Sequence, residues 1–458
     1  MINIKSIPYN VRNFEGSSMY EGLKVASKVA YYLGCLQWHT RWNTEKLRRY
    51  QNQKLREIIN YSLRYVPFYH RKFKKMGLNP GAINTIKDLG KLPILRRSEL
   101  QKSAEVMISK EFKINSLKKV STSGSTGQPV LTYLTDEEDA LRKAKLLRAN
   151  IACGQKPRDR WAVITAPLHQ AVTYRLQKLL GVYLPIPVSV FDDTATQISQ
   201  IEKIGPDVLD GYSSSLLLLA KEIRNRGVKT VEPKIIVGGA ELIDGSSRRF
   251  IENVFNAPFY DEYACSEFER LAWQCKEKNG YHIDADSVIM QFVDENGEEV
   301  SPGESGEIVC TSLFNYAMPL IRYATGDVGK ASDEHQCPCG RTFPLMKIIE
   351  GRKDSLVILP DGRVLSALTL GWMMEFYRFY NHIEQYRVIQ KKADLFKFII
   401  KKTGNVDERA MEIELHNHVR KMLQINESEV ALEIEFVDSI PLDKGGKLRK
   451  IISELTLH

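Results

Sequence analysis

Hydroxyl groups and glycines are concentrated in one segment, Ser121-Thr122-Ser123-Gly124-Ser125-Thr126-Gly127, between two runs typical of β-strands. Glycine lets a backbone approach a ligand closely, and backbone N–H groups with hydroxyls form a concavity suited to phosphate oxygens. The segment is not a Walker loop, because Gln128-Pro129 and a β-type run follow it where a lysine and a helix are required. Alone, it is more typical of a polar hairpin turn, so its interpretation as a phosphate site depends on partners elsewhere in the chain.

Five further segments carry the residue types that a nucleotide site needs. They are Gly238-Gly239-Ala240-Glu241, Tyr263-Ala264-Cys265-Ser266-Glu267, Tyr323-Ala324-Thr325-Gly326-Asp327, Gly351-Arg352-Lys353-Asp354 and a glycine-rich loop that ends at Lys447. In this order the series resembles the adenylate-forming superfamily of acyl-CoA synthetases and adenylation domains. Together with Val66–Tyr69 and Leu92–Arg97, it resembles the phenylacetate–CoA ligase branch and its CapK-like relatives linked to capsular polysaccharide biosynthesis.

The chemistry of these segments fits the activation of a carboxylate by ATP, in which positioning and charge neutralisation dominate. The loop 121–127 would hold the β- and γ-phosphates. Glu267 suits a Mg²⁺ ion that also binds phosphate oxygens, and Asp327 can accept both ribose hydroxyls. The alternatives for these two residues are a surface glutamate and an ordinary turn aspartate.

The same segments offer contacts for the adenine base. Gly239, Ala240 and Glu241 would present backbone beside it, while Tyr263 would supply a stacking face and Asp261 an acceptor for the amino group. Ser266 completes the set of nucleotide-binding candidates.

The resemblance implies three further roles: Arg352 contacts the ribose, Asp354 is the hinge between two domains, and Lys447 stabilises charge on the α-phosphate. A solvated lysine in a basic tail is the alternative for Lys447. The chain departs from the superfamily pattern at Val130, where many members carry a basic residue, and at Ala264, where glycine is usual.

Cysteine and histidine residues indicate a metal site. Cys337 and Cys339 flank a proline, and Cys275 lies seven positions before His282. Three thiolates and one imidazole match a closed, structural Zn²⁺ site of the Cys₃His type, although a Cys-x-Cys spacing is less usual than Cys-x₂-Cys. The alternative is free thiols beside a surface histidine.

Composition narrows the class of protein. The 458 residues predict two or three structural units, and the net charge is +9. The charge allows contact with an anionic membrane surface through residues 19–50, but a solvated helical face packed on the main body is the favoured alternative for this segment. Nucleic acid is a weaker alternative, since no recognition motif accompanies the charge. No signal peptide or membrane span is expected, and seven cysteines without a disulfide framework predict a cytoplasmic protein.

The hydrophobic pattern predicts an α/β fold in two domains. Strands and helices alternate beyond residue 150, which predicts parallel α/β layers. Short strands over 288–330 predict an antiparallel, distorted β-barrel or, as the alternative, a distorted sheet. A core domain, 1–351, would bind nucleotide and acyl group and include a zinc-stapled insertion, and a mobile α+β lid domain would span 352–458.

These inferences converge on an ATP- and Mg²⁺-dependent acid ligase that forms an acyl-adenylate and passes the acyl group on. The resemblance implies CoA as the acceptor, with a sugar amine or hydroxyl in polysaccharide assembly as the alternative. A non-catalytic scaffold in that pathway is the rival hypothesis. The acyl pocket is expected among residues 166–170, 212–215 and 237–241. The acid activated and the oligomeric state remain open.

Overall fold

The fold is described from a computed structural model of the protein. The structure describes residues 19–79, 81–121, 130–166, 173–227, 231–334, 336–352, 355–426, 429–443 and 445–455. Within these ranges, no helix is both long enough and apolar enough to cross a membrane.

Three helices open the described chain: α1 (Met19–His39), α2 (Thr44–Tyr65) and α3 (Pro67–Lys75). Asn43 caps α2, because its side chain accepts a hydrogen bond from the Lys46 N–H at 2.8 Å. Pro67 separates α2 from α3, since proline disfavours a helical residue before it and suits the first turn of a helix. The short helix α4 (Arg97–Ser103) and the hairpin of β1 (Lys118–Ser121) and β2 (Leu131–Leu134) follow.

Helix α5 (Asp136–Cys153) begins at a capping box. Thr135 accepts a hydrogen bond from the Glu138 N–H at 3.2 Å, and the Glu138 carboxylate accepts one from the Thr135 N–H at 2.7 Å. The helix dipole favours basic residues in the later turns. Three of the basic residues in the later turns of α5 are buried: Arg142, Lys145 and Arg148. Their burial is tolerated because carbonyl and carboxylate oxygens inside the protein accept their hydrogen bonds.

One 11-stranded sheet forms the centre of the molecule, with strand order β10-β11-β12-β13-β9-β8-β7-β6-β5-β3-β4. Its strands are β3 (Trp161–Thr165), β4 (Pro185–Ser189), β5 (Val208–Tyr212), β6 (Ile235–Gly239), β7 (Phe259–Cys265), β8 (Glu269–Trp273), β9 (Tyr281–Ile283), β10 (Val288–Val293), β11 (Ser305–Ser312), β12 (Tyr323–Ala331) and β13 (Leu345–Arg352). The connecting helices are α6 (Arg175–Leu180), α7 (Thr194–Ile204), α8 (Ser213–Arg226) and α9 (Gly245–Phe255).

The sheet has two halves. Strands β4, β3, β5, β6 and β7 run parallel, as the alternation of strands and helices predicts. The later strands are antiparallel and irregular, with register shifts between β11, β12 and β13. Of the two alternatives for 288–330, the distorted sheet is the one observed: β10, β11 and β12 join the parallel strands in one sheet through β13, β9 and β8.

The C-terminal part has its own hydrophobic core. A four-stranded sheet, in the order β18-β17-β16-β19, packs with helices α10 and α11. The elements are β14 (Val357–Ile358), β15 (Val364–Leu365), α10 (Ala367–Glu375), β16 (Ile383–Lys392), β17 (Leu395–Lys402), α11 (Glu408–Leu423), β18 (Ala431–Phe436) and β19 (Ile451–Ser453). On α11 the sequence pattern favours burial of Met422, but Leu423 is buried and Met422 is exposed. The domain boundary at 351/352 stays a prediction.

Candidate nucleotide site and metal centre

A cluster of polar side chains joins the two halves of the sheet at Asp327. Strand pairing places Asp327 of β12 opposite Arg352 of β13, with Arg352 Nη1 3.8 Å from Asp327 Oδ1. Tyr263 of β7 contributes its hydroxyl, 2.7 Å from Asp327 Oδ2 and 3.1 Å from Thr325 Oγ1. Burial, and then the negative charge of Asp327, raise the pKa of Tyr263, so its hydroxyl stays protonated and can donate. Three segments separated in sequence thus meet at one carboxylate.

Glu267 is buried in the turn after β7. Its Oε1 accepts a hydrogen bond from the Tyr323 hydroxyl at 2.7 Å and lies 3.5 Å from Arg97 Nη1. Arg142 fixes the turn itself by donating to the backbone carbonyls of Ser266 and Glu267. A single carboxylate held this rigidly suits Mg²⁺, which takes one or two protein carboxylates together with substrate phosphates.

The sequence motifs assign no role to Arg97 or Tyr323. Both residues lie in segments that match the superfamily pattern, Leu92–Arg97 and Tyr323–Asp327, but the pattern says nothing about their partners. The contact of Arg97 with Glu267 bridges 170 positions of sequence, which no local pattern can indicate.

Asp261 also lies on β7 and is buried. Its Oδ2 accepts a hydrogen bond from the Tyr281 hydroxyl at 2.6 Å. Burial raises the pKa of Asp261 to about 6. One carboxylate oxygen is thus already engaged, and a contact between the other and an adenine amino group stays a prediction.

The residues that follow β6 contact the loop of Lys447. Ala240 has φ of 64°, a left-handed conformation in which a side chain other than glycine is uncommon. The sequence predicts that Glu241 offers its backbone to adenine, but the side chain of Glu241 makes two contacts of its own. Its Oε2 accepts the Ser214 N–H at 2.9 Å, and its Oε1 accepts the Leu448 N–H at 2.6 Å.

Lys447 lies over the end of a parallel strand. Its Nζ is 5.8 Å from the centre of the Tyr212 ring, at the carboxyl end of β5. In open α/β sheets, ligands bind at the carboxyl ends of such strands. The C-terminal loop therefore reaches the edge of the sheet at which a nucleotide is expected.

Two of the residues predicted to line an acyl pocket border a cavity in this region. A cavity of about 330 Å³ is bounded by Val190, Phe191, Ser214, Ser215 and by Leu442 from the C-terminal loop. Ser214 and Ser215 belong to the predicted segment 212–215, and the 237–241 segment contributes no lining residue. Of the segment 166–170, the structure describes only Ala166, which is buried.

Several predicted residues fall outside the described ranges: Thr122, Ser123, Gly124, Ser125, Thr126, Gly127 and Asp354. Ser121 ends β1, paired with Leu131. Val130, at the position where a basic residue is common, is buried in the hydrophobic core. Its side chain therefore serves packing and not phosphate binding.

The predicted zinc ligands converge. One ligand atom from each of Cys275, His282, Cys337 and Cys339 lies within 4.8 Å of the other three. The Cys275 and Cys337 sulfurs are 3.5 Å apart, and Cys339 Sγ is 3.3 Å from His282 Nε2. Tetrahedral Zn²⁺ with Zn–S bonds of about 2.3 Å separates its sulfurs by about 3.8 Å, so the four side chains fit zinc.

The surroundings of the cluster also favour a neutral imidazole ligand. Burial lowers the pKa of His282 to about 4, and the ring packs 5.0 Å from that of Trp273. His282 lies on β9, next to β13, and Cys275 follows β8. A metal here would connect these strands to the turn at Cys337.

The fold is that of adenylate-forming CoA ligases, and the comparisons with known proteins agree. The structure superposes on crystal structures of 2-hydroxyisobutyryl-CoA ligase with 18% and 19% identity, each covering 91% of both chains. The TM-score is 0.75 for the postadenylation state with R3-HIB-AMP and 0.61 for the thioesterification state with 2-HIB-AMP and CoA.

Sequence relatives point to particular enzymes. Phenylacetate-coenzyme A ligase of Thermus thermophilus is 26% identical over 81% of this chain and 82% of the relative. Protein CapK of Staphylococcus aureus is 24% identical over 88% of this chain and 89% of the relative. Residues 361–454 match the family model of the CapK C-terminal domain. The resemblance found in the sequence is thus confirmed: the homologues bear the names phenylacetate-CoA ligase and CapK.

Proposed function

We propose that this protein activates a carboxylic acid with ATP and then transfers the acyl group to CoA. The observation that carries the proposal is the meeting of Tyr263, Asp327 and Arg352, with the buried Glu267 on the turn that follows the strand of Tyr263. A structural role alone does not require an arginine and a buried tyrosine arranged around one half-buried carboxylate.

In the first step, an oxygen of the substrate carboxylate attacks the α-phosphorus of ATP. The bond from that phosphorus to the bridging oxygen breaks, and pyrophosphate leaves with the electron pair. Asp327 and Arg352 would hold the ribose, and Lys447 would stabilise the charge that develops on the α-phosphate. Mg²⁺ held by Glu267 would neutralise phosphate charge.

In the second step, the CoA thiolate attacks the acyl carbon, the bond to AMP breaks, and a thioester forms. A lysine placed for the first step would obstruct the second, so a rotation of residues 352–458 about Asp354 is part of the proposal. Crystal structures of 2-hydroxyisobutyryl-CoA ligase represent a postadenylation state and a thioesterification state, which are the two states that such a rotation would connect.

A structural Zn²⁺ ion at Cys275, His282, Cys337 and Cys339 is the second part of the proposal. Three thiolates and one imidazole from these residues, whose ligand atoms lie within 4.8 Å of one another, would complete a tetrahedral set without an open position. The ion would therefore stabilise the fold beside the nucleotide site and take no part in the reaction.

The test is pyrophosphate release from ATP and Mg²⁺ over a panel of aromatic and short aliphatic acids, with and without CoA. The proposal predicts acid-dependent pyrophosphate, and a thioester with AMP when CoA is added. Amide or ester products from aminosugars or sugars in place of CoA would support the polysaccharide alternative. ATP binding without turnover of any acid would favour the scaffold.

A further inference from the structure

Glu241 joins the two parts of the molecule through its carboxylate. One oxygen accepts the N–H of Ser214, at the start of α8, and the other accepts the N–H of Leu448, the residue after Lys447. Hydrogen bonds from backbone N–H groups to a carboxylate are among the stronger ones in proteins. The peptide that carries Lys447 is thus attached to the core by a side chain from the end of β6.

The loop is shaped to reach this position. Asp443 folds it by accepting the N–H groups of Gly445 at 2.8 Å and Lys447 at 3.0 Å. Gly446 has φ of +79°, and a Cβ at this position would collide with Val190 and crowd the Tyr212 ring. Only a glycine allows the loop backbone to approach the core this closely.

We propose that Glu241 is a positioning residue that anchors the Lys447 loop on the core during adenylation. This inference rests on the proposed function. The hydrogen bond from the Leu448 amide to Glu241 fixes the peptide next to Lys447. The Lys447 ammonium group therefore reaches the nucleotide site only while the C-terminal domain is docked. Release of this contact, together with the other contacts between the two parts, frees the loop for the second half-reaction.

Hydrogen–deuterium exchange of the whole protein tests the anchor directly. In Glu241→Gln, an amide nitrogen replaces one carboxylate oxygen and faces an N–H group. The Leu448 amide is expected to exchange about tenfold faster than in the wild type. Gly446→Ala should produce the same change from the other side of the contact. Unchanged protection of the segment 445–450 in both variants would overturn the proposal.

A matched control separates the contact from backbone strain. Gly404 has φ of +70°, and a methyl group added there would meet nothing within 4 Å among the described residues. Gly404→Ala therefore introduces the same left-handed strain without a collision, and it should leave exchange at 445–450 unchanged. Faster exchange there in this control would attribute the effect to general loosening and reject the anchor.

Activity provides the second measurement. Glu241→Gln is expected to slow acyl-adenylate formation about tenfold at an unchanged KM for ATP, and to change thioester formation from supplied acyl-adenylate less than about twofold. Equal losses in both half-reactions would contradict a role confined to adenylation. If the wild type activates no acid, the proposed function fails, while exchange at Leu448 still decides whether Glu241 anchors the loop.

Discussion

At the scale of single residues, the hydroxyl of Tyr263 orients Asp327. Tyr263→Phe keeps the aromatic face and removes the hydrogen bond of 2.7 Å. A lost hydrogen bond to a charged group is worth about 1.5 kcal/mol, so we expect calorimetric titration to show about tenfold weaker ATP binding. Tyr386→Phe is the matched control, because the Tyr386 hydroxyl is buried without a hydrogen-bond partner among the described residues. Equal affinity in Tyr263→Phe and wild type would contradict the role.

Two carboxylates inside the sheet make stability depend on pH. Burial raises the pKa of Asp210 and of Glu262, and the charge of Asp210 raises that of Glu262 further. The folded state therefore binds these protons more tightly than the unfolded state. Their contribution to stability is present at low pH and is lost as pH rises through the raised pKa values.

We expect Glu262→Gln to raise the melting temperature by about 2 °C near pH 9 and to leave it nearly unchanged near pH 5. The physical reason is the removal of a buried charge whose Oε2 has no hydrogen-bond partner in the described part of the chain. Glu295→Gln, at an exposed position, is the control. A stabilisation of the same size at both pH values would refute the explanation by ionisation.

At the scale of secondary-structure elements, the Cys/His cluster connects β8 and β9 to the turn at Cys337. We expect one equivalent of zinc per chain by elemental analysis of the wild type, and its loss in Cys337→Ser together with a lower melting temperature. Cys35→Ser on α1 removes a thiol outside the cluster and should retain the metal. Wild-type protein without metal after preparation in zinc would disprove the site.

Helix α5 is fixed to the antiparallel strands by a buried ionic cluster. Arg148 has no solvent exposure and pairs with Asp284 and with Asp286, the latter at 2.6 Å. Arg148→Met leaves these carboxylates without their main cation, so we expect denaturant titration to show a loss of about 3–5 kcal/mol. Lys143→Met breaks a partly exposed pair with Asp139 on the same helix and should cost less than about 1 kcal/mol. Similar losses in the two variants would contradict this account.

At the scale of the whole molecule, the proposed reaction requires a docked C-terminal domain. The interface includes Lys221, which donates to the carbonyls of Ile383 and Glu384, and an ion pair of 3.1 Å between Arg249 and Glu375. Both contacts are made by polar groups that water can replace. Such an interface suits a domain that must dock and release.

We expect Lys447→Ala to slow acyl-adenylate formation about 10²–10³-fold, because a preorganised cation aimed at transition-state charge contributes about 2.7–4 kcal/mol. ATP affinity should change by no more than a few fold. Single-turnover pyrophosphate release measures the rate, and Lys392→Ala, at an exposed position of the same domain, serves as control. An unchanged rate in Lys447→Ala would remove the C-terminal loop from the mechanism.

The sequence alone predicts those features that depend on neighbouring residues. Glycine turns and the capping box at Thr135 follow from residue types and spacing, and the resemblance adds Glu267, Asp327 and Lys447 as candidate site residues. Strand and helix alternation predicts the parallel half of the sheet, since burial on a pleated or helical surface imposes a period on the sequence.

Tertiary structure decided which side chains meet. The partnership of Arg97 with Glu267, the buried pairing of Arg148 with Asp284 and the contact of Glu241 with Leu448 join positions at least 136 apart. No local sequence pattern indicates these contacts. The same charged residue stands in the sequence whether its side chain is surrounded by water or paired with a distant carboxylate. Packing of the folded chain excludes water from these charged side chains, and the fold thereby determines which partner each of them contacts.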